Sequence, residues 1–132
     1  MCQKLQTFLK ENKANLFLKY DSVRENREYT VMLFDTEKNE RMFGGDTNSI
    51  IETEQDFINN TKLKLDFTEV NELFFKIKNA VKSNTADVVM LSINYSEPSL
   101  KYSVYIDTAK DTSHNVFLSY TELKDFVRAN YE

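Results

Sequence analysis

Residues able to do covalent or acid–base chemistry are few in this chain, and they are scattered. There is one histidine, His114, and one cysteine, Cys2. A Ser–His or Cys–His nucleophile pair would have to recruit His114, which falls in the polar run Asp-Thr-Ser-His-Asn at 111–115, expected to be a solvated loop. One histidine and one cysteine exclude a histidine-rich or cysteine-based metal centre and an internal disulfide. A carboxylate metal site needs acids that converge. Asp107 and Asp111 are four residues apart but fall at a strand end and in a loop, without the spacing of a calcium loop. A surface charge pair is the expectation. Carboxylates abound, and no spacing singles out two for general acid–base work.

The only glycines, Gly44 and Gly45, sit in Met-Phe-Gly-Gly-Asp-Thr-Asn-Ser at 42–49. That stretch lacks the Lys-Ser/Thr ending of a phosphate-binding loop and the spacing of a dinucleotide fingerprint. A helix follows, so its amides could hold an anion, but a turn plus an N-cap is the preferred account. Aromatic strands together with Lys76, Lys78 and Lys82 could serve nucleic acid. These lysines lie on the polar side of an amphipathic helix in a chain of net charge −4, so a solvated face is expected and nucleic acid is disfavoured. No cofactor and no catalytic activity are expected.

What remains is the set of elements that would carry a surface. The 132 residues are 41% hydrophobic and include ten Phe and seven Tyr, enough for one core, so residues 1–132 are expected to form a single domain. No signal-peptide core and no apolar run of membrane-spanning length is seen, so a soluble cytoplasmic protein is expected, without a membrane partner. The glycosylation patterns at 59–61 and 94–96 are then attributed to chance.

Leu5, Phe8 and Leu9 are spaced for a first helix. Alternation over residues 14–22 puts Leu16, Leu18 and Tyr20 on one face of a strand and Phe17 on the other. The next strand places Tyr29, Val31 and Leu33 against Met32 and Phe34. A short strand over 41–43 is expected to end at the glycines. Ser49 and Glu52 mark a capping box and a second helix, and the alternating Lys62-Leu63-Lys64-Leu65 suits an edge strand. Asp66 and Glu69 cap a third helix with the stripe Val70, Leu73, Phe74, Ile77 and Val81. A strand follows with Val89, Leu91, Ile93 and Tyr95 on one face, then a turn at Pro98, and a strand with Tyr102, Val104 and Ile106 inward. A short strand over 115–118 and a helix opened by Ser119 and Glu122 complete the chain. The order α-βββ-α-(β)-α-βββ-α specifies α+β: an antiparallel sheet of five to six strands packed with four helices.

Residues 28–38 and 101–111 share Tyr, Ser or Thr, and Val in step, and each goes on to an Asp-Thr pair. Sliding residues 15–33 onto 88–106 needs no gap and sets Leu18 on Leu91, Tyr29 on Tyr102 and Val31 on Val104. One residue of slippage then aligns Asp35-Thr36 with Asp107-Thr108. Internal duplication competes here with the patterning that any two amphipathic hairpins share. In this register Phe17 falls on Met90 and Met32 on Tyr105.

Once the helix-facing residues are assigned, Phe17, Met32, Phe34, Met90 and Tyr105 are left on the opposite sheet face. That is too much apolar surface to leave wet in a monomer, and Met and aromatic enrichment is typical of interface cores. Either a helix crosses over to cover these five or another protein does. A non-enzymatic, protein-binding protein is therefore expected. Lys far outnumbers Arg and Asn is frequent, a bias of AT-rich genomes. That suggests a small inhibitor or immunity-type protein of a phage, mobile element or low-GC bacterium, anti-CRISPR-like in kind. The alternative is a scaffold or chaperone homodimer binding a client, because the element order resembles that of type III secretion chaperones. A small enzyme ranks third.

Overall fold

Period-2 alternation along the strands decides the architecture, because it gives each strand one face to bury. The computed structural model describes residues 3–60, 67–81 and 87–132. In chain order these form α1 (Gln3–Asn12), β1 (Ala14–Asp21), β2 (Tyr29–Asp35), β3 (Glu40–Thr47), α2 (Ile50–Asn60), α3 (Thr68–Ala80), β4 (Val88–Ser96), β5 (Ser99–Asp107), β6 (Thr112–Phe117) and α4 (Tyr120–Tyr131). The strands make one sheet in the order β3-β2-β1-β4-β5-β6, with every neighbouring pair antiparallel. The fold is α+β, as the alternation and capping patterns require.

One alternating set of strand residues, from Leu16 and Leu18 through Val31, Leu33, Val89, Leu91 and Ile93 to Tyr102, Val104 and Ile106, is buried in a single cluster. The same cluster takes Leu5 and Leu9 of α1, Ile50 and Phe57 of α2, Val70, Phe74 and Ile77 of α3, and Leu123 and Val127 of α4. The helices therefore share one face of the sheet, and the molecule has two layers. Ser49 caps α2, its Oγ accepting from the Glu52 amide at 3.2 Å. Ser119 caps α4 likewise at 3.1 Å, and the Glu122 carboxylate accepts from the Leu118 amide at 2.9 Å.

The chain halves are related by a pseudo-twofold axis normal to the sheet. Leu18 pairs with Leu91 across the β1–β4 junction, and Leu91 is the residue on which the 73-residue shift places Leu18. The same shift carries the pairs Leu16–Leu33 and Phe17–Met32 onto Val89–Ile106 and Met90–Tyr105. Strand order reads the same from either edge. The symmetry is incomplete. A bulge between Leu33 and Phe34 lengthens the β2–β3 arm, whereas β5 and β6 pair without one. The one-residue slip between the two Asp-Thr pairs has a separate origin: β2 carries Phe34 between Leu33 and Asp35, where β5 passes from Ile106 straight to Asp107. Phe34 pairs with Asn15, and at the equivalent place Asp107 pairs with Val88.

Three expectations need correction. The third strand does not end at the glycines; β3 runs through them to Thr47. Gly44 lies opposite Met32 with φ +97°, and a Cβ there would sit 2.0 Å from the Val31 carbonyl oxygen. Close approach of two strands, not a turn, requires this glycine. His114 is in β6, which starts at Thr112, because pairing with β5 overrides the polar composition of the run. Helix α3 has Phe67 as N-cap with no side-chain cap bond; the buried Glu54 of α2 accepts from the Phe67 amide at 2.6 Å instead. Three strands separate α3 from α4, as the order α-βββ-α-(β)-α-βββ-α specifies. The expected edge strand over 62–65 lies outside the described residues.

Candidate functional site

The odd-numbered residues of β1 and their cross-strand partners project from the sheet away from the core. Register alone fixes their arrangement. One row across the face reads Gly44, Met32, Phe17, Ser92, Ser103, Val116; the next reads Asp46, Thr30, Lys19, Met90, Tyr105, His114. Phe17 and Met32 are direct neighbours, as are Met90 and Tyr105. Phe17 and Met90 are diagonal neighbours across the pseudo-dyad, within reach of long side chains. Phe34 stands one row beyond Met32 on β2. The five residues singled out from the sequence are thus brought together, as a diagonal apolar band through the centre of the face.

None of these five belongs to the core cluster, and none is among the side chains packed against it. Each is half-buried by its neighbours on the pleated surface. Among the described residues no helix lies over them. Gly44 presents no side chain beside Met32, so the outer flank of that methionine is open. Tyr105 makes an edge contact with His114, with ring centroids 6.1 Å apart and planes at 70°. Val116, 53% exposed, continues the apolar surface toward the β6 edge.

Two polar clusters flank the band, and the pseudo-dyad exchanges their positions. On one side Ser92 and Ser103 hydrogen-bond through their hydroxyls, and Asn94 Nδ2 donates to Ser92 Oγ at 3.1 Å. On the other, Thr30 Oγ1 donates to Asp46 at 2.8 Å, and the Arg24 guanidinium donates to Thr30 Oγ1 at 3.1 Å. Arg24 also lies 3.0 Å from Asp46 and 3.7 Å from Asp21. The Thr30 hydroxyl, with Arg24 adding its charge, holds the Asp46 carboxyl below its ordinary value. Thr30 and Ser92 are only 4% and 7% exposed although they lie on this face. Their polar groups are satisfied within the sheet, so covering them again carries little desolvation cost.

Nothing in the local sequence marks these clusters. Thr30 and Ser92 read as ordinary strand residues; what marks them is pairing with partners that only the register brings close. The polar run around His114 reads as a loop, which equally hides its position beside Tyr105.

On the helical side, a groove of about 540 Å³ between α2 and α3 is lined in part by Ile51, Phe75 and Lys76, with Glu54 and Asn71 also at its wall. Glu54 is committed to structure: its two carboxylate oxygens accept from the Phe67 amide and from Asn71 Nδ2 at 2.9 Å. A second groove, of about 420 Å³, runs between α1 and the start of α4 and has no acid, histidine or cysteine in its lining. Among the described residues no three His, Cys, Asp or Glu side chains are grouped to hold a metal, and no helix is long and apolar enough to cross a membrane. No protein-family model, curated protein or solved structure matches the chain.

Proposed function

We propose that the chain acts by binding another protein through the open face of its sheet, as a non-enzymatic protein of the inhibitor or immunity type. The observation that carries this reading is the diagonal band Met32–Phe17–Met90–Tyr105, extended by Phe34, which lies outside the core cluster. Its anatomy is that of an interface: aromatic and methionine side chains at the centre, hydrogen-bonded and charged groups at the rim. Neither groove on the helical side is lined by a residue of the band, and a row of half-buried side chains on a sheet suits a folded surface better than a small molecule, which needs a concave pocket. The rim carries Lys19 and Arg24 beside Asp46 and Asp21, with Lys101 on the far side. A partner with an apolar centre and a rim of both signs complements it, and such binding depends only weakly on salt. The Lys- and Asn-rich composition favours a source in a phage, a mobile element or a low-GC bacterium.

The test pairs capture with substitution. A stoichiometric complex formed by the native chain should be lost with Phe34→Asp and with Tyr105→Asp, while the circular dichroism of both variants matches the native chain. A complex that survives both substitutions overturns the reading. So does unfolding of either variant, which would make this face part of the core.

A further inference from the structure

The two edges of the sheet differ. The β3 edge carries the devices that block strand addition: charged Glu40, Arg41 and Asp46, a bulge, and two glycines at positive φ. The β6 edge carries none of these. Its six residues, Thr-Ser-His-Asn-Val-Phe, contain no Lys, Arg, Asp, Glu, Pro or Gly, and they pair with β5 without a bulge. Among the described residues no strand pairs with the outer side of β6. A regular edge with free backbone donors and acceptors accepts another extended strand.

We infer that the occupant is β6 of a second copy of this chain, joined in an antiparallel pair that continues the sheet from six strands to twelve. Self-pairing meets no charge penalty, because β6 carries no Lys, Arg, Asp or Glu. Antiparallel strands related by a twofold axis keep corresponding faces on the same side, so an even-numbered residue must meet an even-numbered one. Two central registers satisfy this, with either His114 or Asn115 on the axis. The nearest flanking acid, Asp111, then falls opposite Phe117 or Ser119, so neither register sets like charges opposite each other. Val116 is 53% exposed and Leu118, just beyond the strand, is 72% exposed, and both would be covered. The isologous dyad stands normal to the sheet, so the two open faces point the same way.

This inference does not depend on the partner reading, because it concerns the isolated protein. The test is sedimentation equilibrium of the full chain across the micromolar to millimolar range, with amide exchange of residues 112–117 followed over the same range. Native protein should show a monomer–dimer equilibrium, with β6 amides protected as the dimer fills. Val116→Lys sets a lysine on each edge and should weaken dimerisation by about tenfold or more, whereas Phe17→Asp, far from the edge, should leave it unchanged. A monomer at all concentrations overturns the inference. So does a dimer in which β6 exchange stays independent of concentration, or one that Val116→Lys leaves intact.

Discussion

Adjacent residues on β4 should differ sharply in what they contribute to stability. Leu91 is 1% exposed, and its neighbours on the core face, Leu18 and Val104, are fully buried. Leu91→Ala therefore removes transfer free energy and opens a cavity in a site with little room to collapse, at a cost of about 3–4 kcal/mol. Met90 points the other way, half-buried between Lys19 and Tyr105 and outside the core cluster. Met90→Ala gives up only partial burial and leaves an open surface, for about 1 kcal/mol. The chain has no tryptophan, so urea unfolding is followed by far-ultraviolet circular dichroism. With a urea slope of about 1.5 kcal/mol per molar, the midpoints should fall by about 2 M for Leu91→Ala and by less than about 1 M for Met90→Ala. Equal losses would refute the division into a core face and an open face, and the proposed binding surface would fall with it.

Other perturbations probe the parts that shape this sheet. Gly44→Ala forces a Cβ to within 2.0 Å of the Val31 carbonyl at a φ disfavoured for side chains, so β3 should shift and stability fall by about 2 kcal/mol or more; a native urea midpoint contradicts this. Glu54→Ala strands the buried Phe67 amide and Asn71 Nδ2, and should cost about 3 kcal/mol in the same assay, with an unchanged midpoint as the refuting outcome. The Asp46 carboxyl has its folded-state pKa lowered from 3.8, first by the Thr30 hydroxyl and then by Arg24. Its stabilising contribution is present above the unfolded value and lost as pH falls through the lower folded one. Thr30→Val should move the Asp46 midpoint back up, read by carboxyl-carbon NMR titration; a midpoint that does not move removes the hydroxyl as the main cause.

Which residues face the core was legible because alternation is local: Leu16, Leu18, Val31 and Leu33 are buried, and Phe17, Met32 and Phe34 are not. The five residues of the band were found by the same rule. Legibility failed where the deciding contact is long-range. Gly44 and Gly45 look like a chain break until Val31 is known to lie against them. The capping role of Glu54 toward Phe67 spans two helices, and no spacing announces it. His114 sits in a polar run that only the β5 ladder makes a strand. The 73-residue correspondence was visible as scattered matches between hairpins. That it coincides with a dyad through Leu18 and Leu91 depends on β1 pairing with β4, a contact between chain halves that neither hairpin encodes by itself.

The central claim is that the face bearing Met32 and Met90 is open in the free chain. Methyl labelling of the four methionines and titration with a soluble paramagnetic agent test it directly. Met42, 41% exposed, serves as the accessible reference, and the methyls of Leu91 and Ile93, at 1% and 0%, as the inaccessible one. The methyls of Met32 and Met90 should be relaxed nearly as strongly as that of Met42. Relaxation as weak as that of Leu91 and Ile93 would show the face covered within the free protein and would contradict the account.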